Sequence, residues 1–205
     1  MNSNEIKLVL FDIGSTLMNC DNAFKTAARE QNIPFEAIDK TFDSYDKEIT
    51  IGKITPQELY IKSIERNSLN ADKNYNFMES WLSDYIPIKE SIDLLYKLKE
   101  KYQIGLFSNI YKGMVQEMIK NGMLPKINYD FLFISCDIGM RKPDKEFYDY
   151  VLSKTNLQPN EIFFVDDKAE NLTQEVAKGW NTFKFSYKDH TESAKQLSEI
   201  LLINI

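Results

Sequence analysis

The chain has 205 residues, 43% of them apolar and 27% charged. That is ordinary usage for a folded domain, and it excludes wholesale disorder, collagen-like repeats and coiled-coil rods. The length holds one well-buried α/β core with a small inserted domain, not two full enzymes. With 25 basic against 31 acidic side chains the formal net charge is −6, and no stretch gathers a basic footprint, so neither nucleic acid nor an anionic membrane is expected as a partner.

The opening, MNSNEIKLVLFDIG, carries only a short apolar run before Asp12. This is far below a signal-peptide core or a membrane span, and a cytoplasmic location is expected. Residues Ile6 to Phe11 form the first of four short apolar runs, followed by Ile104 to Phe107, Phe131 to Ser135 and Ile162 to Val165. Near-continuous apolar runs of this length predict strands buried on both faces. A weaker run, Thr182 to Phe185, follows Gly179, which reads as a helix C-cap.

Between the strands lie helical patterns: Ile92, Leu95 and Leu98; Met114, Val115 and Met118; Phe147, Tyr150 and Val151. Strands alternating with helices predict an α/β fold, a Rossmann-like parallel sheet covered on both sides, with ligands at the carboxyl ends of its strands. One interval breaks the rhythm. From Asp12 to Ile104 the chain runs far longer than the roughly 12 to 30 residues of a single crossover. Inside it Phe35, Ile38, Phe42, Tyr45 and Ile49 recur at helical spacing, Thr55-Pro56-Gln57-Glu58 reads as an N-cap with a capping box, and Phe77, Trp81, Leu82 and Tyr85 predict a further helix. Residues 18–86 are therefore expected to form a small all-helical cap, and residues 1–17 with 87–205 the α/β core. The cap aromatics read first as core packing, with ligand contact as the alternative.

The histidine and cysteine counts narrow the chemistry. The chain has a single histidine, His190, near the predicted start of the last helix, which removes Ser-His-Asp and Cys-His nucleophile schemes and His-rich metal centres. Cys20 and Cys136 form no C-x-x-C pair and read as reduced, inert thiols. Catalysis must then run on carboxylates, hydroxyls and lysine.

Four polar clusters stand at or beyond strand ends. Asp12 directly follows the first strand, with Gly14, Ser15 and Thr16 after it; Ser108 and Asn109 end the second; Arg141-Lys142-Pro143-Asp144 precedes a helix; Asp166-Asp167 ends the fourth strand, with Asn171 beyond. Taken singly, each has an ordinary reading: an Asx-turn at Asp12, a polar turn at Ser108 and Asn109, a solvated Lys142. Lysine as a point charge also suits a phosphoryl group or an aspartate nucleophile. Adjacent carboxylates at the end of a buried strand repel unless a cation lies between them, and Mg²⁺ is the natural choice because it prefers oxygen ligands and phosphate-bearing substrates.

In this order the four clusters resemble the haloacid dehalogenase-like superfamily, in its capped subfamily I. The Phe11-Asp12-Ile13-Gly14 opening and Gly52-Lys53-Ile54-Thr55 look most like the branch containing bacterial sugar-1-phosphate phosphatases. The resemblance implies a Mg²⁺-dependent phosphatase acting on a small phosphorylated metabolite through an aspartyl-phosphate. It implies Asp12 as nucleophile, Lys142 as catalytic and substrate-binding cation, and Ser108 with Asn109 as substrate-binding groups. Asp12, the Gly14 carbonyl, Asp166 and Asp167 are implied as the metal site, Asp167 directly and Asp166 through a water. The paired acids favour phosphate over a haloacid. The chain departs from the family where most of its phosphatases carry a second Asp as general acid and base, because Gly14 stands there. A positioned acid or base is commonly worth about 10² to 10⁴ in rate. The resemblance therefore leaves open a slower phosphatase, one whose substrate has a good leaving group or its own proton donor, another transfer reaction, or a non-catalytic phospholigand-binding or regulatory protein. Ser15 or Thr16 is a conceivable holder of water.

Overall fold

The computed structural model describes residues 6–202. Its centre is a parallel sheet of five strands, β1 (Leu8–Phe11), β4 (Gln103–Ser108), β5 (Phe131–Ile134), β6 (Ile162–Asp166) and β7 (Asn181–Lys184), in the order β5-β4-β1-β6-β7. The strands are parallel because each is followed by a crossover that returns the chain to the same edge. β1 lies in the middle, paired with β4 on one side and β6 on the other, so Phe11 stands beside Leu106 and Val165. Asp12, just past β1, and Ser108 and Asp166, the last residues of β4 and β6, therefore share one edge of the sheet.

Both faces of the sheet are covered. Side chains alternate along a strand, and in β1 Val9 and Phe11 enter one apolar cluster while Leu8 and Leu10 enter the other. The first cluster takes in α5 (Lys89–Lys99), α6 (Met114–Lys120) and α9 (His190–Leu202) through Leu95, Leu98, Met118, Leu197 and Leu201. The second packs α8 (Lys145–Thr155) through Phe147, Tyr148 and Val151 against Phe107, Phe164 and Trp180.

The outer strands differ from the sequence expectation. Leu132 in β5 is 48% exposed, and β7 is nowhere fully buried, because each has a neighbour on one side only. Ser135, expected at the end of β5, instead opens a short helix, α7 (Ser135–Ile138). Gly179 caps no helix. A 3-10 turn at Ala169–Leu172 is followed by further turns, and Gly179 serves the last of them with φ of 79°.

Between β1 and β4 the chain leaves the sheet through β2 (Met18–Asn19) and comes back through β3 (Ile86–Pro87), which pair antiparallel. Four helices lie between them: α1 (Lys25–Glu30), α2 (Phe35–Thr50), α3 (Pro56–Arg66) and α4 (Phe77–Ser83). α3 begins with the capping box that its sequence predicts: Glu58 N–H donates to Thr55 Oγ1 at 3.2 Å and Thr55 N–H to Glu58 Oε2 at 2.7 Å. α1 has no such signal, since it starts behind Phe24 in the left-handed region with no side-chain cap.

Phe24, Phe42, Phe77 and Trp81 form a continuous aromatic cluster among these helices, and it belongs to the same apolar body as one face of the sheet. Polar ties reinforce the join. Ser135 Oγ donates to the Thr50 carbonyl at 2.7 Å, and Arg141 pairs with Asp46 at 2.6 Å. Gly52 is required at this join: it has φ of 74°, and a Cβ there would lie 2.2 Å from the Cys136 carbonyl oxygen. Among the described residues, no helix is long and apolar enough to cross a membrane.

Candidate active site

Three strand ends and one loop converge. Asp12 follows β1, Ser108 ends β4, Asp166 ends β6 with Asp167 after it, and Lys142 reaches in from the loop between α7 and α8. Lys142 is 1% exposed, and its Nζ lies 3.0 Å from Asp12 Oδ1 and 2.5 Å from Asp166 Oδ2, while donating at 2.8 Å to the Phe107 carbonyl. Its ammonium also lies over the rings of Phe107 and Phe164, 5.2 and 5.0 Å from their centroids. Burial alone would lower its pKa, but the facing carboxylates of Asp12 and Asp166 outweigh that and raise it, so Lys142 stays charged.

The main chain of Lys142 is held by Asn109. The Asn109 amide nitrogen donates to the Lys142 carbonyl at 2.8 Å, and the Lys142 N–H donates to Asn109 Oδ1 at 2.8 Å. This closed pair leaves one amide hydrogen of Asn109 for the cavity it borders. Ser108 is fully buried beside Asp12 and helps hold its charge, yet Oγ makes no regular hydrogen bond. A buried hydroxyl left this way costs free energy unless something else occupies it.

The two acids that follow β6 differ sharply. Asp166 is completely buried and saturated: Oδ1 accepts from the Lys168 N–H at 2.8 Å, both oxygens accept from Asn171 Nδ2 at 3.0 Å, and Oδ2 takes Lys142. Asn171 is itself fixed by Tyr148, whose hydroxyl donates to its carbonyl at 2.8 Å. Asp167 is half-buried, and its pKa is pushed up to about 6, first by burial and then by the charges of Asp12 and Asp166. Asp12 is likewise raised, chiefly by burial, with Lys142 pulling the other way and Asp166 adding to the rise.

Carboxylate oxygens of Asp12, Asp166 and Asp167 all lie within 4.8 Å of one another. Against these three acids the cluster sets one buried ammonium, Lys142, with only the exposed Lys168 beside it, so the carboxylates outnumber the cations in a largely desolvated place. A hard divalent cation with oxygen ligands matches that donor set in charge and in chemistry.

Gly14 lies in the turn that carries the chain from Asp12 to β2. The turn is closed by Leu17 and Met18 N–H groups on the Ile13 carbonyl, both at 2.9 Å, and by Ser15 N–H on the Met18 carbonyl at 2.7 Å. Nothing in the backbone demands glycine at 14: its φ is not in the left-handed region, and an added Cβ would meet only Cys20 Sγ at 3.7 Å. Of the two neighbouring hydroxyls, Ser15 borders the cavity, whereas Thr16 is fully buried away from its lining.

The cavity has a volume of about 190 Å³ and is bounded by Asp12, Gly14, Ser15, Asn109, Lys142 and Asp167 on the sheet side. Its remaining wall includes Cys20, Tyr85, Ile110, Tyr111, Lys168 and Asn171. Of these Lys168 and Asn171 stood in a motif of the sequence, the run that begins with Asp166-Asp167; Tyr111, two residues past Asn109, had no pattern to mark it. Burial pushes the Cys20 thiol up to about 12 and the Tyr85 phenol well above its ordinary value, so neither exchanges protons near neutral pH. Cys136 is a buried free thiol far along the chain in α7, and His190 is half-exposed, 3.1 Å from Glu90.

A model of the haloacid dehalogenase-like hydrolases matches residues 6–173. The D-ribitol-5-phosphate phosphatase of Bacteroides thetaiotaomicron is 22% identical over 192 residues, covering 87% of this chain and 91% of that one. The drimenol cyclase of Aspergillus calidoustus is 26% identical over 200 residues, and the chain spans only 36% of its length. Among solved structures, a HAD-family enzyme from Bacteroides thetaiotaomicron, in complex with magnesium and inorganic phosphate, superposes with a TM-score of 0.74 at 26% identity, covering 90% of this chain and 96% of that one. With most of its length matched and the family's fold reproduced, the chain belongs to the haloacid dehalogenase-like hydrolases.

Proposed function

We propose that the protein is a Mg²⁺-dependent phosphatase that hydrolyses a small phosphorylated metabolite through an aspartyl-phosphate on Asp12. The observation that carries this reading is the charge imbalance at the strand ends: three converging carboxylates, one buried lysine and a buried, unengaged Ser108 hydroxyl. A phosphatase among the relatives, and a structural neighbour holding magnesium and phosphate, support it. Residues 18–86 act as a cap over a core made of residues 1–17 and 87–205.

An Asp12 oxygen attacks phosphorus, the ester P–O bond breaks, and water then cleaves the acyl-phosphate to release phosphate and restore Asp12. Lys142 holds the Asp12 carboxylate in place and offsets charge on the incoming phosphoryl group. Ser108 Oγ donates to a phosphoryl oxygen, which gives that hydroxyl its missing partner. Asn109 holds the Lys142 backbone and turns its spare amide hydrogen toward the same group. Asp12, Asp167 and the Gly14 carbonyl hold Mg²⁺, with the saturated Asp166 acting from behind through water. When bound, the ion neutralises the carboxylate cluster and the phosphoryl oxygens.

The leaving oxygen must gain a proton, and Gly14 supplies none. The protein is therefore short of one catalytic group, and a substrate with a good leaving group is favoured. The same glycine supports a second reading, a phospholigand-binding protein without turnover.

Phosphate release from a broad set of phosphate esters with Mg²⁺ separates the two. The phosphatase shows turnover that Asp12→Asn abolishes, whereas the binding protein shows a ligand-induced rise in Tm with no release. Turnover surviving in Asp12→Asn rejects the nucleophile assignment. Gly14→Asp, which the open space at Gly14 accepts, is expected to raise turnover of esters with poor leaving groups by about 10² to 10⁴.

A further inference from the structure

The cavity is small, and one residue that bounds it is held from outside. At about 190 Å³ it has roughly the room of six liquid waters, below the usual ~300 to 1,000 Å³ of pockets that enclose larger ligands. A phosphoryl group against Asp12 uses a large part of that room. Tyr111 follows the end of β4 and borders the remainder.

The position of Tyr111 is fixed by the helices of the insert rather than by the sheet. Its ring stacks on Trp81 of α4 with centroids 4.6 Å apart and 25° between planes, and it meets the edge of Phe42 of α2 at 5.6 Å and 87°. Trp81 is 1% exposed and packed in turn against Phe24 and Phe77, so Tyr111 cannot swing aside without disturbing a close-packed cluster.

We propose that Tyr111, clamped by Trp81 and Phe42, is a specificity-determining residue that limits the size of the leaving group, so that the enzyme takes small monophosphate esters and rejects nucleoside monophosphates. This rests on the phosphatase reading above.

The test compares kcat/KM for glycerol 3-phosphate and uridine 5′-monophosphate, both esters of primary alcohols, with Mg²⁺, in the wild type, Tyr111→Ala and Tyr111→Phe. Wild type is expected to favour glycerol 3-phosphate at least tenfold over uridine monophosphate. Tyr111→Ala is expected to raise the ratio of uridine monophosphate to glycerol phosphate at least tenfold, and Tyr111→Phe, which keeps the ring, to leave that ratio within twofold. Should Tyr111→Ala not fold, Tyr111→Leu reads the same ratio. A wild type that handles the nucleotide as well as the glycerol ester, or a ratio unmoved in a folded Tyr111→Ala or Tyr111→Leu, overturns the size limit and leaves the phosphatase reading standing. No release from either ester, nor from the mixed anhydride acetyl phosphate, overturns both.

Discussion

The floor and the roof of the cavity are built on opposite principles. The floor is charge-dense: Asp12, Lys142 and Asp166 are almost completely buried and tied by ion pairs of 2.5 and 3.0 Å. The roof is apolar, with Phe24, Phe42, Phe77, Trp81 and Tyr111 joined ring to ring. Burying charge is costly and is tolerated only where partners are fixed, so the floor sacrifices stability to hold reactive groups. The roof gains stability from the surface it buries and carries none of the proposed chemistry. Changes in the floor should therefore damage turnover without harming the fold, and changes in the roof behind Tyr111 should do the reverse.

The strongest break of that contrast is Asp12→Asn. It removes the proposed nucleophile, and turnover is expected to fall by at least about 10⁴. It also removes a buried charge whose burial is unfavourable, so Tm without Mg²⁺ should hold or rise, as differential scanning fluorimetry would show. A clear fall in Tm would mean that the floor stabilises the fold after all. In the roof, Trp81→Ala is expected to cost about 3–5 kcal/mol in urea unfolding, the range for a buried large aromatic. The pH dependence of kcat should stay as it was, because no titrating group of the floor touches Trp81.

The Mg²⁺ dependence sharpens the floor further. The folded pKa of Asp167, about 6, lies above its ordinary 3.8. In the metal-free protein this group therefore contributes stability that is fully present below about 3.8 and is lost as pH rises through about 6. A cation reverses that loss only where Asp167 is ionised. Mg²⁺ at about a hundred times its Kd should stabilise by about 2.7 kcal/mol at pH 7.5, or roughly 5–10 °C for a chain of this size. The increment should shrink through pH 6 and vanish near pH 4.5. An increment that does not depend on pH would separate Asp167 from the ion.

The floor was legible in the sequence, as were Phe42, Phe77 and Trp81 of the roof, whose helical spacing marked them as packing aromatics of the insert; Phe24 and Tyr111 were not. Asp12, Ser108 and Asp166 are each placed by a strand, and a parallel sheet aligns its strand ends, so apolar runs followed by polar residues were enough to bring them together. Lys142 was marked by its place before a helix, though only the structure shows that Asn109 holds it and that Asp166 takes it up. Tyr111 belongs to no repeat or motif, because its position depends on contacts with Trp81 and Phe42, far away in the chain. The edge strands were overestimated for a related reason. An apolar run such as Phe131 to Ile134 cannot show that its strand has a neighbour on one side only. Gly179 followed a polar stretch that resembles a helix end, but the residues before it are held by turns, including Ala177 N–H on the Thr173 carbonyl at 2.9 Å, and never join a helix.

The smallest effect tests whether roof and floor are coupled by charge as well as by packing. Arg141 neighbours Lys142 and pairs at 2.6 Å with Asp46 on α2, the most direct ionic link between the insert and the catalytic loop. The Asp46 side chain is 40% exposed, so solvent and salt screen the pair and it is worth at most about 1 kcal/mol. The Lys142 backbone is fixed independently by the two Asn109 hydrogen bonds, and its ammonium by Asp12, Asp166 and the Phe107 carbonyl. Asp46→Asn should therefore lower stability by less than about 1 kcal/mol in 50 mM salt, lose even that effect in 1 M salt, and leave kcat within twofold. A larger loss of kcat than of stability would show that the insert positions Lys142 through Arg141, and that the two regions are less separate than their packing implies.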